Sequence, residues 1–146
     1  MNWKKGRGKL GVFEPLLGTW VTESDSEMGQ VRVTRTFTKT LGGKYVQLNA
    51  MWQFASRNYE ETALFGVDSD KRLKFWSFTS DGKNSQGCLE DASDIHPDAI
   101  GFTALMPAGT ARQVYFPASE SEFNWVVESK TKKGWNRFLE HNYKPL

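Results

Sequence analysis

Gly18-Thr19-Trp20, followed by Val31-Arg32-Val33-Thr34-Arg35-Thr36-Phe37-Thr38, is the stretch that decides the fold. In its second part Val31, Val33, Arg35 and Phe37 fall on one face and Arg32, Thr34, Thr36 and Thr38 on the other. That two-residue period marks a half-buried strand with a threonine-rich solvent side, and Arg35 shares the apolar face. Beyond this strand the chain is punctuated by Gly, Pro, Asp, Asn and Ser clusters at 25–29, 41–44, 56–58, 68–71, 81–83, 91–97, 107–109, 117–119 and 130–134. Such clusters supply positive φ or preset turns. About ten segments of strand length lie between them, the spacing of an all-β barrel or sandwich joined by consecutive hairpins. Only residues 12–17 suit a helical turn; Pro15 keeps it short, and it is placed to plug one end of a barrel.

The 146 residues fit one domain of ~100–200 residues. They divide into a basic N-terminal tail, 1–11, and a barrel domain, 12–146. Lys4, Lys5, Arg7 and Lys9 alternate with Gly6 and Gly8 and read as a flexible, frayed terminus. The net charge is +2, much of it in this tail, so the body lacks the broad basic face a nucleic-acid binder needs. Cys88 is the single cysteine. An internal disulfide and a two-cysteine metal knuckle are therefore excluded, and a reducing, cytoplasmic compartment fits best. Residues 6–17 carry no apolar run of the ~7–15 residues a signal peptide uses. Nor is there a stretch of ~18 apolar residues to span a membrane.

A sandwich with a dry core and a closed barrel with a ligand-holding interior both satisfy these strands. Several of them carry bulky apolar residues on both faces, so parity is open. Leu73 and Phe75 oppose Trp76 and Phe78; Tyr45, Gln47, Asn49, Met51 and Gln53 alternate with Val46, Leu48, Ala50, Trp52 and Phe54. If the first of these last two sets faces in, the interior is wet and amphipathic. The reading is a single closed up-and-down antiparallel β-barrel of 8–10 strands with a short N-terminal helical turn. Closure removes exposed edges and leaves room for one small ligand.

Leu17-Gly18-Thr19-Trp20, Leu41-Gly42-Gly43-Lys44-Tyr45, Phe65-Gly66-Val67-Asp68 and the closing Arg137-Phe138-Leu139-Glu140-His141-Asn142-Tyr143 together resemble a bacterial calycin-like family of unassigned function. The resemblance spans nearly the whole chain. It implies a lipocalin-like barrel, distantly related to fatty-acid-binding proteins and to the haem-binding nitrobindins. It also implies that Trp20 closes the barrel floor with Arg137 stacked on it, a structural pair. Through the nitrobindin likeness, His141 on the last strand becomes a candidate axial haem ligand.

The chemistry-bearing residues point to binding more readily than to catalysis. No ligand spacing for a non-haem metal and no Gly-x-Ser-x-Gly elbow occurs. The expected function is non-covalent capture of a small, largely apolar molecule with one polar or acidic end. Met51, Trp76 and Phe78 would supply apolar wall, and Arg35 or Arg112 would fork onto the polar end; no catalytic or metal residue is assigned. The expected partner is that small molecule, not nucleic acid or membrane, with the protein a monomer or homodimer. Three alternatives stand beside it: an enzyme joining an inward Glu61 or Glu140 to His141, haem binding through His141, and a ligand-free interaction module displaying Trp52 and Phe54.

Overall fold

The computed structural model describes residues 3–146. Alternation resolves into ten antiparallel strands: β1 (Gly18–Ser26), β2 (Gly29–Thr40), β3 (Tyr45–Gln53), β4 (Asn58–Val67), β5 (Leu73–Thr79), β6 (Asn84–Glu90), β7 (Ile100–Met106), β8 (Gly109–Pro117), β9 (Phe123–Thr131) and β10 (Gly134–Pro145). Each pairs with its sequence neighbours, and β1 meets β10 to close an up-and-down barrel. That closing seam is short, with Trp20 opposite Pro145 and Val21 opposite Lys144.

Parity follows from which side chains are buried. Val31, Val33, Arg35 and Phe37 of β2 point inward, all at most 2% exposed, as their alternation requires. In β3 the inward set is Val46, Leu48 and Ala50, followed by the partly buried Trp52. In β5 it is Leu73, Phe75 and Ser77, and in β9 it begins with Phe123 and Trp125.

A 3-10 helix, Lys9–Leu16, plugs the end where β1 begins. It starts three residues earlier than the expected turn at residues 12–17, inside the stretch read as tail. Gly11, Phe13 and Leu16 are its buried residues. Phe13 sits 4.5 Å from the Phe65 ring and 5.9 Å from that of Phe102, and the Leu16 carbonyl accepts a 2.7 Å bond from Trp20 Nε1. Before it, Trp3 packs on the core and donates through Nε1 to the Asp98 carbonyl at 3.1 Å. The first two residues of the expected tail lie outside the described residues.

The connection from β6 to β7 folds back over the outside of the wall. Ala92 there forms a small second core with Val114 of β8 and Val126 of β9. This patch buries outward-facing residues, and its consequence for Arg112 appears below. No helix among the described residues is long and apolar enough to cross a membrane.

Candidate functional site

The plugged end is solid because large side chains occupy its inward positions. Phe13, Phe37, Phe65, Phe102 and Phe123 are each 0–2% exposed. Toward the opposite mouth, where β7 turns into β8, the inward positions carry Ser85, Ala104, Ala111 and Ser129, and a cavity of about 390 Å³ opens there. Phe75 and Phe102 line its inner side, and Glu61 and Gln113 contribute polar atoms to its wall. Phe75 reaches this place because Gly87 faces it without a side chain: a Cβ there would stand 2.6 Å from the ring.

Behind that wall lies the most unusual group in the protein. Arg35 is 0% exposed and permanently charged. Its Nη1 donates to the Tyr115 hydroxyl at 2.7 Å, and its guanidinium lies 4.1 Å from the centre of the Trp125 ring. The Tyr143 ring is 5.5 Å away. Its Nε and Nη2 have no hydrogen-bond partner. Buried donors left unmet, especially on a charge, cost several kcal/mol as an order of magnitude, so this arrangement is maintained against its own energetics. Burial, opposed in part by the neighbouring Arg35 charge, pushes the Tyr115 hydroxyl up to about 12; it stays protonated at neutral pH.

Glu61 stands on the same level of the barrel. Register places Arg35 opposite Ala50, and Ala50 opposite Glu61. Glu61 Oε2 accepts from the buried Ser77 hydroxyl at 2.5 Å, and its charge bears on Arg35. Gln113, on the cavity wall, accepts through Oε1 from Trp125 Nε1 at 3.2 Å, and it is the Trp125 ring that lies against the Arg35 guanidinium.

His141 also faces inward. It is packed 5.2 Å from the Trp52 ring and 5.6 Å from the Trp125 ring, with Nδ1 3.3 Å from the Tyr143 hydroxyl. Desolvation, aided by the Arg35 charge, lowers its pKa to about 4. The mouth cavity does not reach it, and the cleft of about 570 Å³ that it borders is lined mainly by polar and charged residues, among them Glu23, Arg32, Glu122 and Lys144, so these residues do not fit an axial haem ligand with its apolar macrocycle. The acid–imidazole pairing required of an enzyme is not formed either. Glu61 bonds to Ser77, while Glu140 points outward to Arg137 at 3.4 Å.

Several expected site residues lie elsewhere. Met51 belongs to the outward set of β3, because Ala50 and Trp52 take the inward positions. Trp76 and Phe78 likewise face outward on β5, where Phe75 and Ser77 are the buried positions, and Phe78 is 58% exposed. None of the three lines the cavity. Arg112 is buried, yet on the outer face under the 91–99 connection. It forms a two-point contact with Asp94 at 2.7 and 3.1 Å, bonds Glu128 through Nε at 2.9 Å and stacks 4.2 Å from Trp135. Arg112 borders the mouth cavity, but its guanidinium is committed to Asp94, Glu128 and Trp135 and is not turned to an interior ligand.

The closing pair is also revised. Trp20 does sit at the plugged end, 7% exposed and edge-on to Phe123 at 4.8 Å. Arg137 lies far along β10, outside the barrel, bonded to Glu128 at 2.9 Å. The Leu16 carbonyl and Phe123 do the work expected of Arg137. Nor do Trp52 and Phe54 form a displayed patch, since both pack partly buried against the core.

Of the expected anchors, then, only Arg35 and His141 point into the barrel, and Arg35 shares its register level with Glu61 of the cavity wall. The residues that alternation alone did not single out are Ser77, Tyr115 and Gln113, which hold the polar centre, and Ala104 and Ala111, which make the space. The small-residue run Ala104, Ala111, with Phe102 and Gln113 two residues outside it, carries a two-residue period that could have flagged the hollow. Among the described residues no cluster of three or more His, Cys, Asp or Glu could hold a metal ion. No protein-family model matches the chain, and no curated protein matches it.

Proposed function

We propose that the protein binds, without covalent chemistry, a small and largely apolar molecule whose acidic end is held by Arg35 in the barrel interior, as expected of a calycin-like barrel. The observation that carries this reading is the buried Arg35 guanidinium with Nε and Nη2 unpartnered, two strands from Glu61, which lines a 390 Å³ cavity walled by Phe75, Phe102 and Ala104. A mostly apolar hollow with few, fixed polar groups is the ordinary form of a small-molecule site. An acceptor group delivered to Nε and Nη2 would satisfy both donors and neutralise the charge.

Titration of tryptophan fluorescence with short carboxylic acids, long fatty acids, retinoids, haem and the matching alcohols tests the reading, since Trp125 lies under the guanidinium. Short acids should give a saturable change that the alcohols do not. Arg35→Met should abolish it, and Arg137→Met, on the outer face, should leave it intact. Acid binding that survives Arg35→Met, or the absence of any saturable acid, overturns the assignment.

A further inference from the structure

We infer that the ligand carries a hydrogen-bond donor close to its acid group, so that it bridges Arg35 and Glu61: a compact hydroxy acid or amino acid with an apolar remainder. This rests on the acid-binding reading above and goes beyond it, because it assigns Glu61 a role and narrows the ligand class.

Three observations carry it. Arg35 and Glu61 point inward from β2 and β4 at one level, and the residue between them in the register is Ala50, so no side chain larger than a methyl separates them along the ladder. The two opposite charges nevertheless do not bond: Arg35 gives its one hydrogen bond to Tyr115, and Glu61 is held by Ser77. In a poorly solvated interior a guanidinium and a carboxylate that could meet would gain strongly from doing so, so their anchors hold them apart. A molecule reaching both meets donors on one side and, on the other, carboxylate oxygens that offer acceptors. A simple acid would satisfy the first and place its own negative charge against the second. An acid with an adjacent hydroxyl or ammonium satisfies both.

Size follows from the floor. Phe75 and Phe102 close the cavity, backed by Phe65 and Phe13, and about 390 Å³ is near the lower end of small-molecule sites, about 300–1,000 Å³. A long acyl chain would have to displace the phenylalanines.

The experiment compares four probes on one skeleton, 3-phenylpropanoate, 3-phenyllactate, phenylalanine and phenethylamine, by isothermal titration calorimetry against the native protein, Glu61→Gln and Ser77→Ala. Either donor-bearing acid should bind native protein about tenfold more tightly than 3-phenylpropanoate, the gain of one charge-assisted hydrogen bond. Glu61→Gln should erase most of that advantage while leaving or improving 3-phenylpropanoate binding. Ser77→Ala, which frees the carboxylate without removing it, should keep the preference. Equal affinities for the three acids, or a preference unchanged in Glu61→Gln, overturn this inference and leave acid binding standing. Failure of every acid, or tighter binding of phenethylamine than of the acids, overturns the acid-binding reading itself.

Discussion

The two ends of the barrel are made by the same ten strands under the same alternation, yet one is solid and the other hollow. At the plugged end the inward positions are Phe13, Phe37, Phe65 and Phe123, with Trp20 over them; at the mouth they are Ser85, Ala104, Ala111 and Ser129. Strand number sets how wide a barrel is, but side-chain volume at inward positions decides where it stays open. Stability and ligand capture are thereby assigned to different ends, and Arg35 stands between them.

The largest effect should come from emptying the solid end. Phe13→Ala removes the ring at the centre of the phenylalanine cluster and should cost about 3–5 kcal/mol in urea denaturation; a loss below about 1 kcal/mol would mean the plug is not part of the core. Next comes His141. Its pKa is lowered from 6.5 to about 4 in the folded protein, so the unfolded chain takes up a proton first as the pH drops. The stability that the neutral imidazole preserves is complete above pH 6.5 and lost progressively toward pH 4, by up to about 3 kcal/mol. Denaturation across that window should flatten in His141→Gln.

A matched pair of insertions then sharpens the contrast. Ala63→Leu, at a 2% exposed position facing Leu48 and Ser77 across the sheet, should cost about 1–3 kcal/mol through overpacking. Ala111→Leu, into the hollow, should cost less than about 0.5 kcal/mol and yet block ligand uptake. Equal costs at both sites would erase the distinction between the ends. The smallest effect belongs to the outer face. The hydrogen bond from Arg112 holds the Asp94 carboxyl below its ordinary value, so its contribution exists above the carboxylate range and fades as the pH falls through it. Because Asp94 is 56% exposed, Asp94→Asn should cost under about 1 kcal/mol in the same denaturation assay and leave ligand binding unchanged.

The barrel itself was legible because turn chemistry and alternation are local. β2 shows this best: threonines on one side and valines on the other oriented Arg35 inward from letters alone. β3 and β5 resisted, since Met51, Trp76 and Phe78 are as apolar as the residues opposite them, and what settles their parity is pairing with neighbours. Ser77 reads as a solvent residue until Glu61 is found beside it. Arg112 misled for another reason. A connection folded back over the wall gives the outside a small core of its own, so burial there does not mean interior. The hollow was hardest to foresee, because it is defined by the small size of residues contributed by β6, β7, β8 and β9.

The seam between β1 and β10 has a kinetic corollary. Every other neighbouring pair of strands in the barrel is consecutive in the chain, so those ladders can grow hairpin by hairpin with little loop entropy to overcome. Joining Trp20 to Pro145 is the step that must gather nearly the entire polypeptide, and it gains only a short ladder. Closure should therefore come late in assembly and reopen first, making the amides of β10 near Lys144 the earliest barrel positions to exchange with deuterium under native conditions.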